Sequence, residues 1–94
     1  MASLRVLKKE IDYCLEELVF DCDMAMYVQP SKENEIFAIM QKGVELRNEF
    51  YKKANNPEEP HNASLVHKHY ANLRTEIGDA FGKLFEELSA VNNK

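Results

Sequence analysis

Two cysteines and three histidines have the widest chemical range in this chain, and their spacing limits what they can do. Cys14 and Cys22 lie eight residues apart on one predicted helix. That spacing corresponds to about 12 Å, beyond the Cα separation of roughly 7 Å that a disulfide tolerates. His67 and His69 are two residues apart, so they point to different sides of a helix. We therefore expect free thiols, as in the cytoplasm, and neither a metal site nor a cofactor.

Arg47 is the charged residue inside the apolar sector of the middle predicted helix. Its methylene stem can cover a core while its guanidinium binds a carboxylate, and Asp12, Glu16 and Glu49 are within reach. We expect a structural ion pair here. The alternative is a small-ligand-binding or enzymatic bundle in which Arg47 is the anion contact of a pocket between helices 2 and 3. That pocket would be lined by Gly43, Arg47, Tyr70 and Gly78.

The glycines do not form a phosphate-binding loop, because Gly43, Gly78 and Gly82 all fall inside predicted helices rather than after strands. A Gly-x-Ser-x-Gly elbow is missing, and the cysteines have no neighbouring base in the sequence. We therefore predict no catalytic residues and a function other than catalysis.

Helix-breaking residues divide the chain into three predicted helices. Proline disfavours helical backbone in the residue before it, so the first helix ends ahead of Pro30. Ser3, Ser31 and either Asn62 or Ser64 are the expected N-caps. The predicted helices cover residues 3–29, 32–54 and 62–91.

Length and composition predict one domain spanning residues 1–94. The chain is 45% apolar and 30% charged with a net charge of -4, which is typical of a globular protein and argues against nucleic-acid binding. Its apolar runs are shorter than the roughly 18 residues of a membrane span, so we expect no membrane partner. Short connections make consecutive helices neighbours, which predicts an all-α, antiparallel, up-down-up three-helix bundle.

Each predicted helix carries an apolar stripe that we assign to the core. The stripe of helix 1 comprises Leu4, Leu7, Ile11, Cys14, Leu15, Leu18, Cys22 and Ala25. Helix 2 contributes Ile36, Phe37, Ile39, Met40, Gly43, Val44, Leu46, Phe50, Tyr51 and Ala54. Helix 3 contributes Val66, Tyr70, Leu73, Ile77, Ala80, Phe81, Leu84, Leu88 and Val91.

Helix 1 also has a second apolar stripe, about 160 to 180° away from Ile11. Four of its members repeat every seven residues, and a methionine joins them. The stripe comprises Val6, Tyr13, Phe20, Met24 and Tyr27. Isolated apolar side chains are ordinary on protein surfaces, but a seven-residue repeat of this length predicts a seam for another helix.

Helix 3 has a side of small residues that comprises Ala71, Thr75, Gly78, Gly82 and Ser89, with Phe85 at its edge. Each glycine inside a helix costs about 0.5 to 1 kcal/mol relative to alanine, so two of them four residues apart require an explanation. We expect close helix packing within the chain at Gly43, Gly78 and Gly82. A second chain or a ligand against helix 3 is the alternative.

These patterns favour a non-enzymatic protein–protein interaction module that forms a homodimer through the second stripe of helix 1, because most oligomers are symmetric dimers. A different helical protein bound to the same stripe is the second hypothesis, and the pocket near Arg47 is the third.

Overall fold

The computed structural model describes residues 4–57 and 59–92, and within them the chain forms three long helices. Helix α1 covers Leu4–Val28, α2 covers Glu33–Asn55 and α3 covers Ala63–Asn92. A single 3₁₀ turn, Pro30–Lys32, joins α1 to α2. All three pairs of helices are in contact, which confirms the predicted all-α three-helix bundle.

The connections explain where the helices begin and end. Pro30 starts the 3₁₀ turn, and the backbone N–H of Lys32 donates to the carbonyl of Gln29 at 3.0 Å. Helix α2 therefore begins after Lys32, and the prediction that Ser31 caps it is wrong. At the next connection, Asn62 Oδ1 accepts a hydrogen bond from the N–H of Leu65 at 3.2 Å, which confirms Asn62 as a cap. Ser3 lies outside the described residues.

Helices α1 and α3 run in the same direction and are tied together near both ends. Arg74 donates two hydrogen bonds to the carboxylate of Glu10, at 3.1 and 2.8 Å. At the opposite end, Gln29 Nε2 donates to the carbonyl of Asn92 at 3.0 Å, and Lys32 Nζ donates to the carbonyl of Val91 at 2.7 Å. These contacts fix the levels at which α1 and α3 lie side by side.

The core forms along the centre of the bundle, from five positions on each helix. The buried residues are Leu7, Ile11, Leu18, Cys22, Ala25, Ile36, Ile39, Gly43, Phe50, Ala54, Leu73, Ile77, Phe81, Leu84 and Leu88. All of them belong to the predicted stripes. The assignment of Phe37 and Val44 to the core is wrong, because they are 49% and 43% exposed at the edge of the broad apolar sector of α2.

The bundle is elongated, with extents of 51 × 19 × 16 Å. None of the helices within residues 4–57 and 59–92 combines the length and apolarity that a membrane span requires.

Candidate interaction surface

The second apolar stripe of α1 lies in solvent along the length of the helix. Its exposed fractions are 44% for Val6, 61% for Tyr13, 65% for Phe20, 52% for Met24 and 84% for Tyr27. These side chains follow successive turns because residues seven apart on a helix share a face. The structure therefore places all five predicted residues on one exposed face, which we call the outer face of α1.

The outer face continues into a groove between α1 and α3. One depression of about 550 Å³ lies toward the start of both helices, and another of about 450 Å³ lies toward their ends. Val6, Tyr13 and Cys14 of α1 line the first together with Arg74, Ile77 and Gly78 of α3. Met24 and Val28 line the second together with Phe85, Leu88 and Ser89. We call this surface the α1/α3 groove.

The glycines of α3 have open space above them. A Cβ built on Gly78 or on Gly82 would meet no described atom within 4 Å, apart from the backbone of its own helix. The expectation of close packing within the chain is therefore wrong at these two positions. Gly43 is different, because a Cβ there would lie 2.6 Å from Leu18 Cδ2 and 3.2 Å from Leu15 Cδ1.

Polar groups on the groove are held by contacts within the bundle. The paired Arg74 and Glu10 bridge the two helices, and Tyr13 donates its hydroxyl proton to Glu17 Oε1 at 3.1 Å. That hydrogen bond, assisted by the charge of the Glu17 carboxylate, raises the pKa of Tyr13 above its usual value. Partial burial raises the pKa of the Cys14 thiol at the floor of the groove. The groove therefore presents neutral tyrosine and cysteine side chains at neutral pH.

The face between α2 and α3 has a different character. Lys42 pairs with Glu87 at 3.2 Å, and Lys53 pairs with Glu49 at 3.6 Å and with Glu76 at 3.8 Å. The Lys42–Glu87 and Lys53–Glu76 pairs join α2 to α3, and the Lys53–Glu49 pair lies within α2. The α2/α3 face therefore carries mutually neutralising charges, whereas the α1/α3 face exposes apolar side chains.

Arg47 binds a carboxylate of the neighbouring helix. Its Nε donates to Asp12 Oδ1 at 3.2 Å, and its guanidinium lies over the Tyr51 ring, 4.2 Å from the centroid. Tyr51 in turn donates its hydroxyl proton to Asp12 Oδ2 at 2.6 Å. The anion that Arg47 contacts is thus Asp12, as the ion-pair interpretation predicts, and Glu16 and Glu49 are not its partners.

The proposed pocket between helices 2 and 3 is not formed as predicted. Arg47 and Gly43 both face α1, whereas Gly78 lies at the α1/α3 groove. A depression of about 540 Å³ between α2 and α3 is lined by none of the four residues assigned to that pocket. The structure therefore does not bring Gly43, Arg47, Tyr70 and Gly78 together around one ligand.

The cysteines are both free thiols, with Cys22 buried and Cys14 half-buried. Burial raises the pKa of Cys22 to about 11, so its reactive thiolate is disfavoured at neutral pH. Within residues 4–57 and 59–92, no three Cys, His, Asp or Glu side chains converge in a way that would hold a metal ion.

Sequence reasoning missed several residues of this surface, among them Cys14, Val28 and Phe85. It assigned Cys14 to the core, left Val28 unassigned and treated Phe85 as the edge of a separate feature on α3. The structure places all three along the α1/α3 groove. The predicted topology could have identified them, because the first and third helices of an up-down-up bundle run side by side. Residues that flank the contact between these two helices are therefore expected to line a groove.

Comparison of this chain with protein-family models, with curated proteins and with solved structures finds no match. The outer face of α1 and the α1/α3 groove are therefore the basis on which a function can be assigned.

Proposed function

We propose that this chain is a non-enzymatic protein–protein interaction module that forms a homodimer through the outer face of α1 and the α1/α3 groove. The observation that carries the proposal is the row of exposed aromatic and apolar side chains from Val6 to Tyr27. At 1.5 Å per residue this row is about 30 Å long, and an uncovered apolar patch of that extent is unusual for a monomer.

The residue types support a protein partner. Tyrosine, phenylalanine and methionine are enriched at protein interfaces, and Tyr13, Phe20, Met24 and Tyr27 supply all three. The seven-residue repeat matches the spacing at which one helix packs along another. The groove between the parallel helices α1 and α3 can bind such a helix. On the α2/α3 face, by contrast, the charged side chains already pair with one another.

The two thiols favour the cytoplasm as the compartment in which this module acts. Cys22 is packed in the core as a small apolar residue, and Cys14 lies on the groove. Unpaired cysteines persist as thiols under reducing conditions.

Light scattering at micromolar concentration tests the proposal. The wild-type chain is expected at twice its 10.9 kDa mass, and Tyr13→Glu combined with Phe20→Glu is expected at the mass of the monomer. Phe37→Glu is the matched control, because Phe37 is a similarly exposed aromatic residue on α2 that does not line the groove. Circular dichroism of each variant shows whether it remains helical. A monomeric wild-type chain, or a double variant with the same mass as a dimeric wild type, overturns self-association.

A further inference from the structure

We infer that the occupant of the α1/α3 groove is a second copy docked antiparallel, so that α1 packs on the partner's α1 and α3 packs on the partner's α3 about a two-fold axis. This inference rests on the proposed self-association and adds its geometry. The axis passes between Tyr13 and Phe20 of α1, and between Gly78 and Gly82 of α3.

The glycine pair of α3 and the apolar row of α1 are centred at the same level of the bundle. The Arg74–Glu10 and Gln29–Asn92 contacts join residues 64 and 63 positions apart, so any residue of α3 lies beside an α1 residue numbered 63 to 64 lower. The midpoint of Gly78 and Gly82 is residue 80, which lies beside residues 16 and 17. The row from Val6 to Tyr27 has its midpoint between those same two residues. A two-fold axis at this level would therefore set the apolar row against its own copy and the glycine pair against its own copy.

The charges along α1 also favour an antiparallel second copy. Its first nine residues hold three basic side chains and two acidic ones, whereas residues 13–28 hold four acidic side chains and no basic one. With the axis between residues 16 and 17, antiparallel packing sets residues 4–12 of each copy against residues 21–29 of the other, which hold Asp21 and Asp23 and no basic side chain. Glu16 and Glu17 lie at the axis and face their own copies in either orientation. Parallel packing would set four carboxylates against four.

The antiparallel orientation brings one pair of opposite charges together, Lys9 of one copy and Asp23 of the other. With the axis at this level, Tyr13 faces the partner's Phe20, and Lys9 lies within one residue of the level of the partner's Asp23. Lys9 and Asp23 are on the same flank of the outer face and are exposed. Neither takes part in an ion pair within the described part of the chain.

The size of the α1/α3 side and the open space on α3 also favour a second copy. The side of the bundle measures 51 × 19 Å, which is large enough to hold the roughly 800 Å² that each partner buries in a standard interface. On α3, the open space above Gly78 and Gly82 lets two copies of that helix approach closely where they cross at the axis. In this arrangement α1 contacts the partner's α1 through large side chains, and α3 contacts the partner's α3 through small residues.

Charge exchange at Lys9 and Asp23 tests the orientation by sedimentation equilibrium. Each single variant, Lys9→Glu or Asp23→Lys, turns two symmetric attractions into repulsions, and we expect a dimer dissociation constant about tenfold higher. The double variant restores both attractions, so its constant should return to within about threefold of the wild type.

The outcomes separate the two proposals. If the wild type is a dimer but the double variant dimerises no more tightly than the single variants, the antiparallel geometry is overturned. Self-association itself is not contradicted by that result. Single variants with unchanged affinity also overturn it, because a parallel dimer would not place Lys9 beside Asp23. A wild-type chain that stays monomeric at micromolar concentration overturns both proposals.

Zero-length cross-linking with a carbodiimide tests the antiparallel orientation independently of the dissociation constants. Lys9 and Asp23 of one copy are 14 residues apart, about 21 Å along α1, so an amide between them must join two copies. We expect this cross-linked peptide from the dimer fraction. A cross-linked dimer joined through other pairs and lacking this one contradicts the geometry.

Discussion

Gly43 of α2 packs directly against Leu18 of α1, since a Cβ on Gly43 would lie 2.6 Å from Leu18 Cδ2. Real Cβ atoms do not approach neighbours this closely, so one of the two groups would have to move. Leu18 is fully buried, and a packed core leaves it little room for another rotamer. This contact explains why α2 tolerates a glycine in its middle.

Replacement of that glycine is expected to destabilise the bundle. Gly43→Ala forces Leu18 away from its position, and overpacking of this kind costs about 1–3 kcal/mol, partly offset by the higher helix propensity of alanine. Urea unfolding followed by circular dichroism measures the change. A variant at least as stable as the wild type would show that Leu18 moves without cost.

Gly82→Ala is expected to act in the opposite direction on the isolated chain. No described side chain lies near Gly82, so alanine should raise the free energy of unfolding by about 0.5–1 kcal/mol through helix propensity. In the dimer the same methyl group lies where α3 crosses its copy, so dimerisation should weaken. Unfolding at high dilution and sedimentation equilibrium measure the two effects separately. Increased stability with unchanged dimer affinity would contradict close approach of the two α3 helices.

Asp12 joins α1 to α2 through Tyr51 and Arg47. Removing the hydroxyl with Tyr51→Phe is expected to cost about 0.5–1.5 kcal/mol of unfolding free energy, and little when Asp12 is already alanine. The hydrogen bond to Asp12 is also the main cause of the raised pKa of Tyr51. NMR titration should find that pKa lower in Asp12→Asn than in the wild type. Equal pKa values in the two proteins would refute the link.

Cys22 makes the free energy of unfolding fall as the pH rises through the alkaline range. Its pKa is 9.0 when unperturbed and about 11 in the fold because of burial. Since the folded pKa is the higher one, the stabilisation is complete below pH 9 and is lost as the pH rises toward 11, by about 1–3 kcal/mol. Urea unfolding at several pH values should show a shallower alkaline decline for Cys22→Ala. If the free energy of unfolding falls equally with pH in the wild type and in Cys22→Ala, groups other than Cys22 cause the alkaline loss of stability.

The helices and most of the core follow from the sequence because they depend on local chemistry. Pro30 and Asn62 mark ends that need no knowledge of the tertiary structure, and the buried positions repeat at helical spacing. Phe37 and Val44 were misassigned because an apolar sector on a helical wheel does not show how far its neighbours reach. The partner of Arg47 depended on the register between α1 and α2, which selects Asp12.

The candidate site was predictable only in parts. The seven-residue repeat identified the outer face of α1, and the energetic cost of helical glycine identified the small side of α3. Their combination into one groove depends on which side of α1 the third helix occupies, and that is a property of the packed bundle. Gly78 illustrates the difficulty, because its sequence signal is the same whether its neighbour belongs to this chain or to another.

An isotope-filtered NOE experiment on a mixture of labelled and unlabelled chains tests most directly whether another copy covers the outer face of α1. Tyr13 and Phe20 of one copy are about 10 Å apart along the helix, too far for a strong NOE between their rings. We predict contacts between the Phe20 ring of labelled chains and the Tyr13 ring of unlabelled ones. A Phe20 ring without contacts to the unlabelled copy at millimolar concentration would contradict the account.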